Sequence, residues 1–410
     1  MTIPVTARGV AKTLAFLQET TYGTKATGTS QILRRNQSMI NLQVQEIDSQ
    51  EILPSQQVRD ARQGTRLVQG QLMAQLSCLT YEQLIAALFR SSFVSGVSMS
   101  AQTVTVTVVA GVSVTLGVSG NPLTTGMKVG DVINLTGFLS TYVGNNGVYL
   151  SITGLNATTI TCAPPVNGTI IAASSQTAIT ISVVGKKIIM PLTYASAALN
   201  SYTFEHWYAD IAQSEMATGC RITSLGISVP PSGIVGANFG FTGQQLITNA
   251  TQQLASPNPV TTTNLLTAVQ GTITYLGAPI AYVTGFNLQI SAQADNPPVV
   301  GSPYTPNIYL GNLMASGSLT ILFAADGTTN AFLNEQEFQI QLYLTDSTSS
   351  APNFVNIFLP RVKIFADNKN DGTMEITRSV TFKCLEQDLL GGTGLAYDDT
   401  TVTIQDSLAV

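Results

Sequence analysis

Met39-Ile40-Asn41-Leu42-Gln43-Val44-Gln45 and Val68-Gln69-Gly70-Gln71-Leu72-Met73-Ala74-Gln75-Leu76 are the two runs whose reading decides the fold. Both alternate apolar and polar residues. A period of two sends the apolar side chains to one face of a strand and the polar ones to the other, as a half-buried strand requires. Thr80-Tyr81-Glu82-Gln83-Leu84-Ile85-Ala86-Ala87-Leu88-Phe89 then changes to helical spacing. Leu84, Ala87 and Leu88 form its apolar stripe, and Thr80 with Gln83 reads as a capping box. The stretch from Met39 to Phe89 is therefore strand, long polar loop, strand, helix.

The same order returns later. Phe286-Asn287-Leu288-Gln289-Ile290 aligns with Ile40-Asn41-Leu42-Gln43-Val44, and Ala315-Ser316-Gly317-Ser318-Leu319 with Val68-Gln69-Gly70-Gln71-Leu72. Asn41 to Gly70 spans 29 positions and Asn287 to Gly317 spans 30, so the spacing holds as well. A short helix is predicted over Thr328–Asn334, where Thr80–Phe89 stands in the first copy. We read an internal duplication.

Composition agrees with a β protein. Of 410 residues, 44% are hydrophobic and only 10% charged, against about a quarter charged in ordinary domains. Ser, Thr, Asn and Gln carry the polarity, and the apolar runs are short and alternating. This predicts a mainly β chain with one or two helices. The net charge of −5 excludes a basic surface for gripping nucleic acid. Cys78, Cys162, Cys220 and Cys384 are scattered without metal-ligand spacing. A single His206 leaves no zinc site of the usual Cys/His kind. Free cysteines in a chain of this size fit folding in a reducing cytoplasm. A basic-then-apolar leader is not seen, nor is a run of about 18 apolar residues, so neither ordinary secretion nor membrane insertion is expected.

The expected organisation is an N-terminal arm (1–37), a first β domain (38–93 and 187–246), an insertion (94–186), a linker (247–264), a second β domain (265–390) and a C-terminal tail (391–410). The arm is read as packing on another surface, of its own chain or a neighbour's. The insertion, with short strands and an Asn145-Asn146-Gly147 turn, reads as a small β-sandwich or barrel standing on the outer face of the first domain. The Glu46–Thr65 loop concentrates Glu46, Asp48, Glu51, Arg59, Asp60 and Arg62 in a charge-poor chain. Loops of that length tend to be functional, and these residues are read as an intermolecular contact.

Sites for chemistry are not found. His206 sits in an alternating strand and reads as structural. Glu335/Glu337 and Asp398/Asp399 lie on surface-like segments, and no phosphate-binding glycine loop or dinucleotide fingerprint occurs. Asp367-Asn368-Lys369-Asn370-Asp371-Gly372 lacks the later Glu of a calcium loop and reads as a hairpin turn. No catalytic, cofactor or metal residue is assigned.

Leu14–Gly23, the strand–loop–strand Met39–Leu76 with Val58-Arg59-Asp60-Ala61-Arg62-Gln63-Gly64, and the following helix resemble the tail tube proteins of long-tailed bacteriophages. Phe204–Gly243, with Thr218-Gly219-Cys220-Arg221-Ile222 leading to Pro230-Pro231-Ser232-Gly233, is similar to the same family. The resemblance rests on the order of these segments and covers most of the chain outside 94–186. It implies two tandem tail-tube β-sandwich or half-barrel domains, each with a helix. It also implies subunits that form rings, rings that stack into a hollow tube, and genomic DNA passing down that tube. Partners implied are further copies of the chain and the tape-measure, tail-terminator and baseplate proteins. The expected location is the virion tail, assembled in the host cytoplasm.

The residues fit such a role independently. The polar faces carry Asn41, Gln43, Gln69, Gln71 and Gln75 in one copy and Asn287, Gln289, Ser291, Ser316 and Ser318 in the other. As a channel lining these offer passing phosphates no cations, and Glu46, Asp48 and Asp295 nearby add mild repulsion, a polar to acidic lumen. The duplication bears on stoichiometry. If each domain gives four strands, six domains close a barrel of 24 strands, about 40–50 Å across between backbones. Two domains per chain then mean a trimeric ring with pseudo-sixfold symmetry. The rival readings are a surface adhesin of stacked β domains and a glycan-cleaving β-sandwich. The first lacks an export leader here, the second a carboxylate-bearing aromatic cleft.

Overall fold

The structure is a computed structural model and describes residues 6–52, 54–275, 278–279, 282–323, 332–370 and 375–410. Strands β1 (Lys12–Gln18), β2 (Gln31–Ile32), β3 (Gln37–Asp48) and β4 (Ala61–Gln75) precede helix α1 (Glu82–Phe89) and the short β5 (Val94–Ser95). The insertion follows with β6 (Ser98–Val109), β7 (Ser113–Val118), a single helical turn α2 (Pro122–Thr125), β8 (Val132–Thr136), β9 (Tyr149–Leu155), β10 (Thr159–Cys162) and β11 (Ala173–Val183). The chain returns through β12 (Lys186–Ile188), β13 (Tyr202–Tyr208), β14 (Gln213–Val229), β15 (Gly236–Gly243) and β16 (Gln245–Asn249). Its second half holds β17 (Thr272–Tyr275), β18 (Ala278–Pro279), β19 (Val283–Asp295), β20 (Tyr309–Leu322), β21 (Glu337–Thr345), β22 (Phe354–Lys369), β23 (Thr377–Cys384) and β24 (Thr403–Asp406).

The first half is a two-layer sandwich. Its inner layer is β3–β4–β15–β14, and its outer layer is β2–β1–β13–β14–β16. The 17-residue β14 serves both layers, pairing outward through Gln213–Cys220 and inward through Arg221–Val229. The second half repeats this strand for strand, with an inner layer β19–β20–β23–β22 and an outer layer β18–β17–β21–β22–β24. Even the irregularities correspond. A register shift falls at Ile222/Ser224 in β14 and at Ile364/Ala366 in β22, each beside a phenylalanine on the neighbouring strand, Phe241 and Phe382. Such a bulge bends the long strand and lets it change layers. Each phenylalanine ring lies over a glycine. A Cβ on Gly70 would stand 2.0 Å from Phe241, and one on Gly317 2.5 Å from Phe382. The alternation read in the sequence thus has an exception at these two positions because the ring fills the glycine's place. One apolar core, from Leu14 and Leu72 through Phe239 and Phe286 to Val380 and Ile404, runs through both halves.

Several expectations are refined or corrected. Residues 12–18 form a strand of their own chain, held antiparallel to β13. Glu19 is buried there, accepting from the hydroxyls of Ser201 and Thr203 and the backbone N–H of Gly219. The 247–264 segment is strapped down: the buried Glu205 carboxylate accepts from the N–H groups of Gln253 and Leu254, and Asn258 bonds Ser30. Within 391–410, β24 is a strand of the second half and the counterpart of β16. A glycine-rich loop separates it from β23, whereas Gln244 alone separates β15 from β16, so the repeat is hard to see in the sequence. The capping box is absent. Tyr81 holds the N-cap position with no side-chain cap, and the Thr80 hydroxyl bonds Ser77, the Cys78 carbonyl and Thr261. Of the helix predicted over Thr328–Asn334, residues 332–333 are helical, and 328–331 lie outside the described residues, as do 371 and 372 of the predicted turn.

The insertion is a closed six-stranded barrel, β10–β7–β6–β11–β8–β9, filled by Val104, Leu116, Ile133, Ile152, Ile160 and Ile181. It leaves and re-enters the first half, yet it packs on the second. Phe358 of β22 lies against Gly130, whose carbonyl accepts from Gln341 and Asn356. Gln405 of β24 bonds both backbone groups of Val132. A nearly buried Lys187 joins Asp131 at 2.9 Å and Asp398 at 2.8 Å. Burial works against the Lys187 charge, but the two carboxylates outweigh it and hold its pKa above the ordinary lysine value. The position on the second half follows from β12 and β5, which join the outer layer beside β24 and carry the barrel there.

Candidate functional site

The two inner layers are one sheet. β14 pairs with β19 from Ser224↔Ser291 to Val229↔Phe286, so eight strands run without interruption in the order β3–β4–β15–β14–β19–β20–β23–β22. Register fixes which side chains share a face. Asn41 is opposite Gln69, Gln69 opposite Thr242, Gln71 opposite Gly240, and Gln75 opposite Gly236. In the second half Asn287 is opposite Ser318, Gln289 opposite Ser316, and Ser318 opposite Thr381. Across the junction Gln289 meets Gly226 and Ser291 meets Ser224. The ten polar residues singled out in the sequence therefore fall on one face of one sheet, partly or fully exposed. Amide pairs knit this face: Gln43 to Gln69 at 2.8 Å and Gln71 to Asn238 at 3.0 Å. Sequence reading missed Asn238, Thr242, Ser224, Ser228, Thr381 and Lys383. The alternation in 236–243 and 377–384 was the available signal.

The face is amide, hydroxyl and glycine in the main, with Met73, Met314 and the cation Lys383 among them. Acidic residues stand at its rim. Glu46 and Asp48 lie beyond a register shift at Val44/Glu46, on the projecting end of the β3–β4 hairpin, and Asp295 ends β19. The charged residues of that hairpin end pair locally, Arg59 with Glu51 at 3.2 Å and Arg62 with Asp60 at 2.9 Å. Both pairs are exposed and contribute little to stability. His206, on β13 of the outer layer, lies behind β3, on the side opposite this face. It is 1% exposed and bonds Ser38 at 2.9 Å; burial, then Lys12 and Arg35, depress its pKa to about 3.

Both ends of the eight-stranded sheet are open. Among the described residues, β3 pairs with β4 alone, and the Ile364–Lys369 part of β22 pairs with β23 alone. The burial of duplicated residues differs accordingly. By pairing, Gly70 faces Ile40 and Gly317 faces Leu288, and register shifts follow Val44 and Ala292, so the structural repeat runs two residues out of step with the sequence match in this strand. Ile290 and Ala292 of β19 are 0% and 6% exposed where the first half continues the sheet past them. Their counterparts on β3, Leu42 and Val44, point to the same apolar side yet are 41% and 38% exposed.

A family model described as phage tail tube protein matches residues 9–384, spanning both halves of the duplication and the barrel between them. No curated protein matches the chain. Phage tail tubes are structural assemblies. With nearly its whole length matched, the chain belongs to the phage tail tube protein family.

Proposed function

We propose that three copies close into a ring with pseudo-sixfold symmetry, and that rings stack into a tail tube whose polar face conducts genomic DNA. The observation that carries this reading is the contrast between Leu42 and Ile290 and between Val44 and Ala292. Apolar side chains at the same places in the repeat are buried where a second half follows the first and exposed where no neighbour stands. Placing the next copy's β3 beside β22, as β19 lies beside β14, repeats an interface already present within the chain and buries them. The repeat then has no open edge, which removes the aggregation hazard of two unpaired strands.

Eight strands per chain give 24 in a trimer. At about 4.8 Å between strands and a tilt near 40°, such a barrel measures about 45–50 Å between backbones. Side chains narrow that bore, and it still exceeds a duplex whose grooves are each about 7–9 Å deep. The lining of Asn41, Gln43, Gln69, Gln71, Gln75, Asn287, Gln289, Ser291, Ser316 and Ser318 is polar and uncharged, and with Lys383 beside Ser316 the face stays poor in cations, so phosphates are held only weakly. Glu46, Asp48, Glu51, Arg59, Asp60 and Arg62 form an intermolecular contact at the rim. Head-to-tail contacts of this kind generate open stacks. In the virion tail, assembled in the host cytoplasm, the tube meets the tape-measure protein inside and terminator and baseplate proteins at its ends. Native mass measurement of isolated rings tests the stoichiometry. Three times 43.3 kDa per ring is expected, and six chains per ring would remove the proposal.

A further inference from the structure

The hairpin end 49–60 has a counterpart in the second half, the segment 296–308. The first is closed by Asp48↔Ala61 and the second by Asp295↔Tyr309, and the two differ by a single residue in length. Their situations differ completely. Segment 296–308 folds back over the rim of the first half. The Pro303 carbonyl accepts from Arg66 N–H at 2.8 Å, that of Thr305 from the Gln244 amide at 2.8 Å, and that of Ile308 from the Arg221 guanidinium at 2.7 Å. Arg221 is buried, with the Tyr22 ring 5.2 Å from its guanidinium, and Ile308 is 0% exposed. Segment 49–60 projects instead. Ile52 is 100% exposed, and the bonds made by its described residues stay within the hairpin.

The duplication says where the projecting end belongs. The second-half counterparts of Arg66, Gln244 and Arg221 are Leu313, Leu385 and Lys363, by their pairing with β19, β23 and the register shift of β22. Beside Leu310–Leu313 lies a groove of about 530 Å³, lined in part by Leu192, Tyr194, Glu386 and Asp399. Its apolar wall suits Ile52 and Val58. Its acidic side suits Arg59, and one Asp399 carboxylate oxygen is buried there without a hydrogen-bond partner.

We infer that segment 49–60 seats on the second half of the neighbouring copy in the same ring, in the groove beside Leu310–Leu313, as 296–308 seats on the first half of its own chain. The inference rests on the ring reading above and adds to it a clasp across each junction. A clasp lying on the rim also stands between stacked rings, so one segment both locks a ring and presents its outer side to the next.

The parallel bridge Arg66↔Tyr304 maps onto Leu313 and Gln56, at a separation a disulfide can span. The test is the double variant Gln56→Cys with Leu313→Cys, assembled into tubes under reduction and then oxidised. The four native cysteines are buried and stay out of the reaction. Non-reducing gels should show covalent species that stop at one closed ring of three chains, and either single variant should show none. A ladder extending past the ring places the segment between rings and overturns the inference. Well-formed tubes without crosslinks overturn it too, while leaving the ring standing. A ladder that stops at six supports the clasp and overturns the trimer. If the first pair disturbs assembly, Gln57→Cys with Leu385→Cys carries the same expectations.

Discussion

Leu42→Asp combined with Val44→Asp should abolish rings while leaving the subunit folded. Both side chains are about two-fifths exposed in the single chain. Fully burying such a side chain is worth about 1.5–3 kcal/mol, so the remaining exposure is worth about 0.6–1.2 kcal/mol each on ring closure. Two residues at three junctions bring about 4–7 kcal/mol of burial to a ring. The aspartates remove that term and add a larger one. A closed junction would desolvate two carboxylates, a cost of several kcal/mol for each one left unpaired. The free chain meets neither penalty in full, because these positions are open to water. The expected result is a subunit whose melting temperature stays within a few degrees of wild type and which sediments as a monomer under conditions where wild type forms tubes. Ordinary tubes from the double variant would refute the edge-closure reasoning. A subunit that fails to fold would show instead that β3 needs these residues internally; Leu42→Ser with Val44→Ser then repeats the test without the charge.

Lys187→Met should loosen the barrel from the body. It leaves Asp131 and Asp398 facing each other almost buried, a loss of about 3–5 kcal/mol, read as faster amide exchange over 97–184. His206 gives a pH dependence. It is buried neutral with its pKa depressed to about 3, so below about pH 6.5 the unfolded chain takes up a proton that the folded chain refuses. Its stabilisation is whole above that pH and falls by up to about 1.4 kcal/mol per pH unit as acid is added. The melting temperature of wild type should therefore drop more between pH 7 and pH 4.5 than that of His206→Gln, and parallel curves would count against this assignment. Gln43→Lys with Gln289→Lys places new cations on the lining. Phage carrying it should release DNA more slowly at low salt and recover as salt rises, whereas a rate indifferent to salt would argue that this face lies away from the DNA.

The sequence made the inner sheet legible because its strands have one wet and one dry face, and period two is the imprint of that condition. Asn41–Gln45 and Asn287–Ser291 carry it cleanly, and the register placed all ten chosen residues on one face. The outer layers were less readable. The first part of β22, Phe354–Leu359, is nearly continuous in apolar residues and reveals no face, and in β13 and β21 polar residues such as Glu205, His206 and Gln341 are buried as fully as their apolar neighbours. The barrel's position escaped because it depends on Gly130, Phe358 and Gln405, which come together from segments more than two hundred residues apart. β24 hid behind the loop after Cys384. The rim clasp was visible only as a density of charge. What distinguished it from its twin was burial, and burial is a property of the folded chain.

The most direct measurement is a reconstruction of the assembled tube at a resolution that separates strands. Three chains per ring are expected, with a continuous inner barrel in which β22 of one chain pairs antiparallel with β3 of the next. Ala366 should lie near Gln43 and Asn368 near Asn41, copying the β14–β19 junction. Six chains per ring, or a ring whose β3 and β22 edges stay apart, would contradict it.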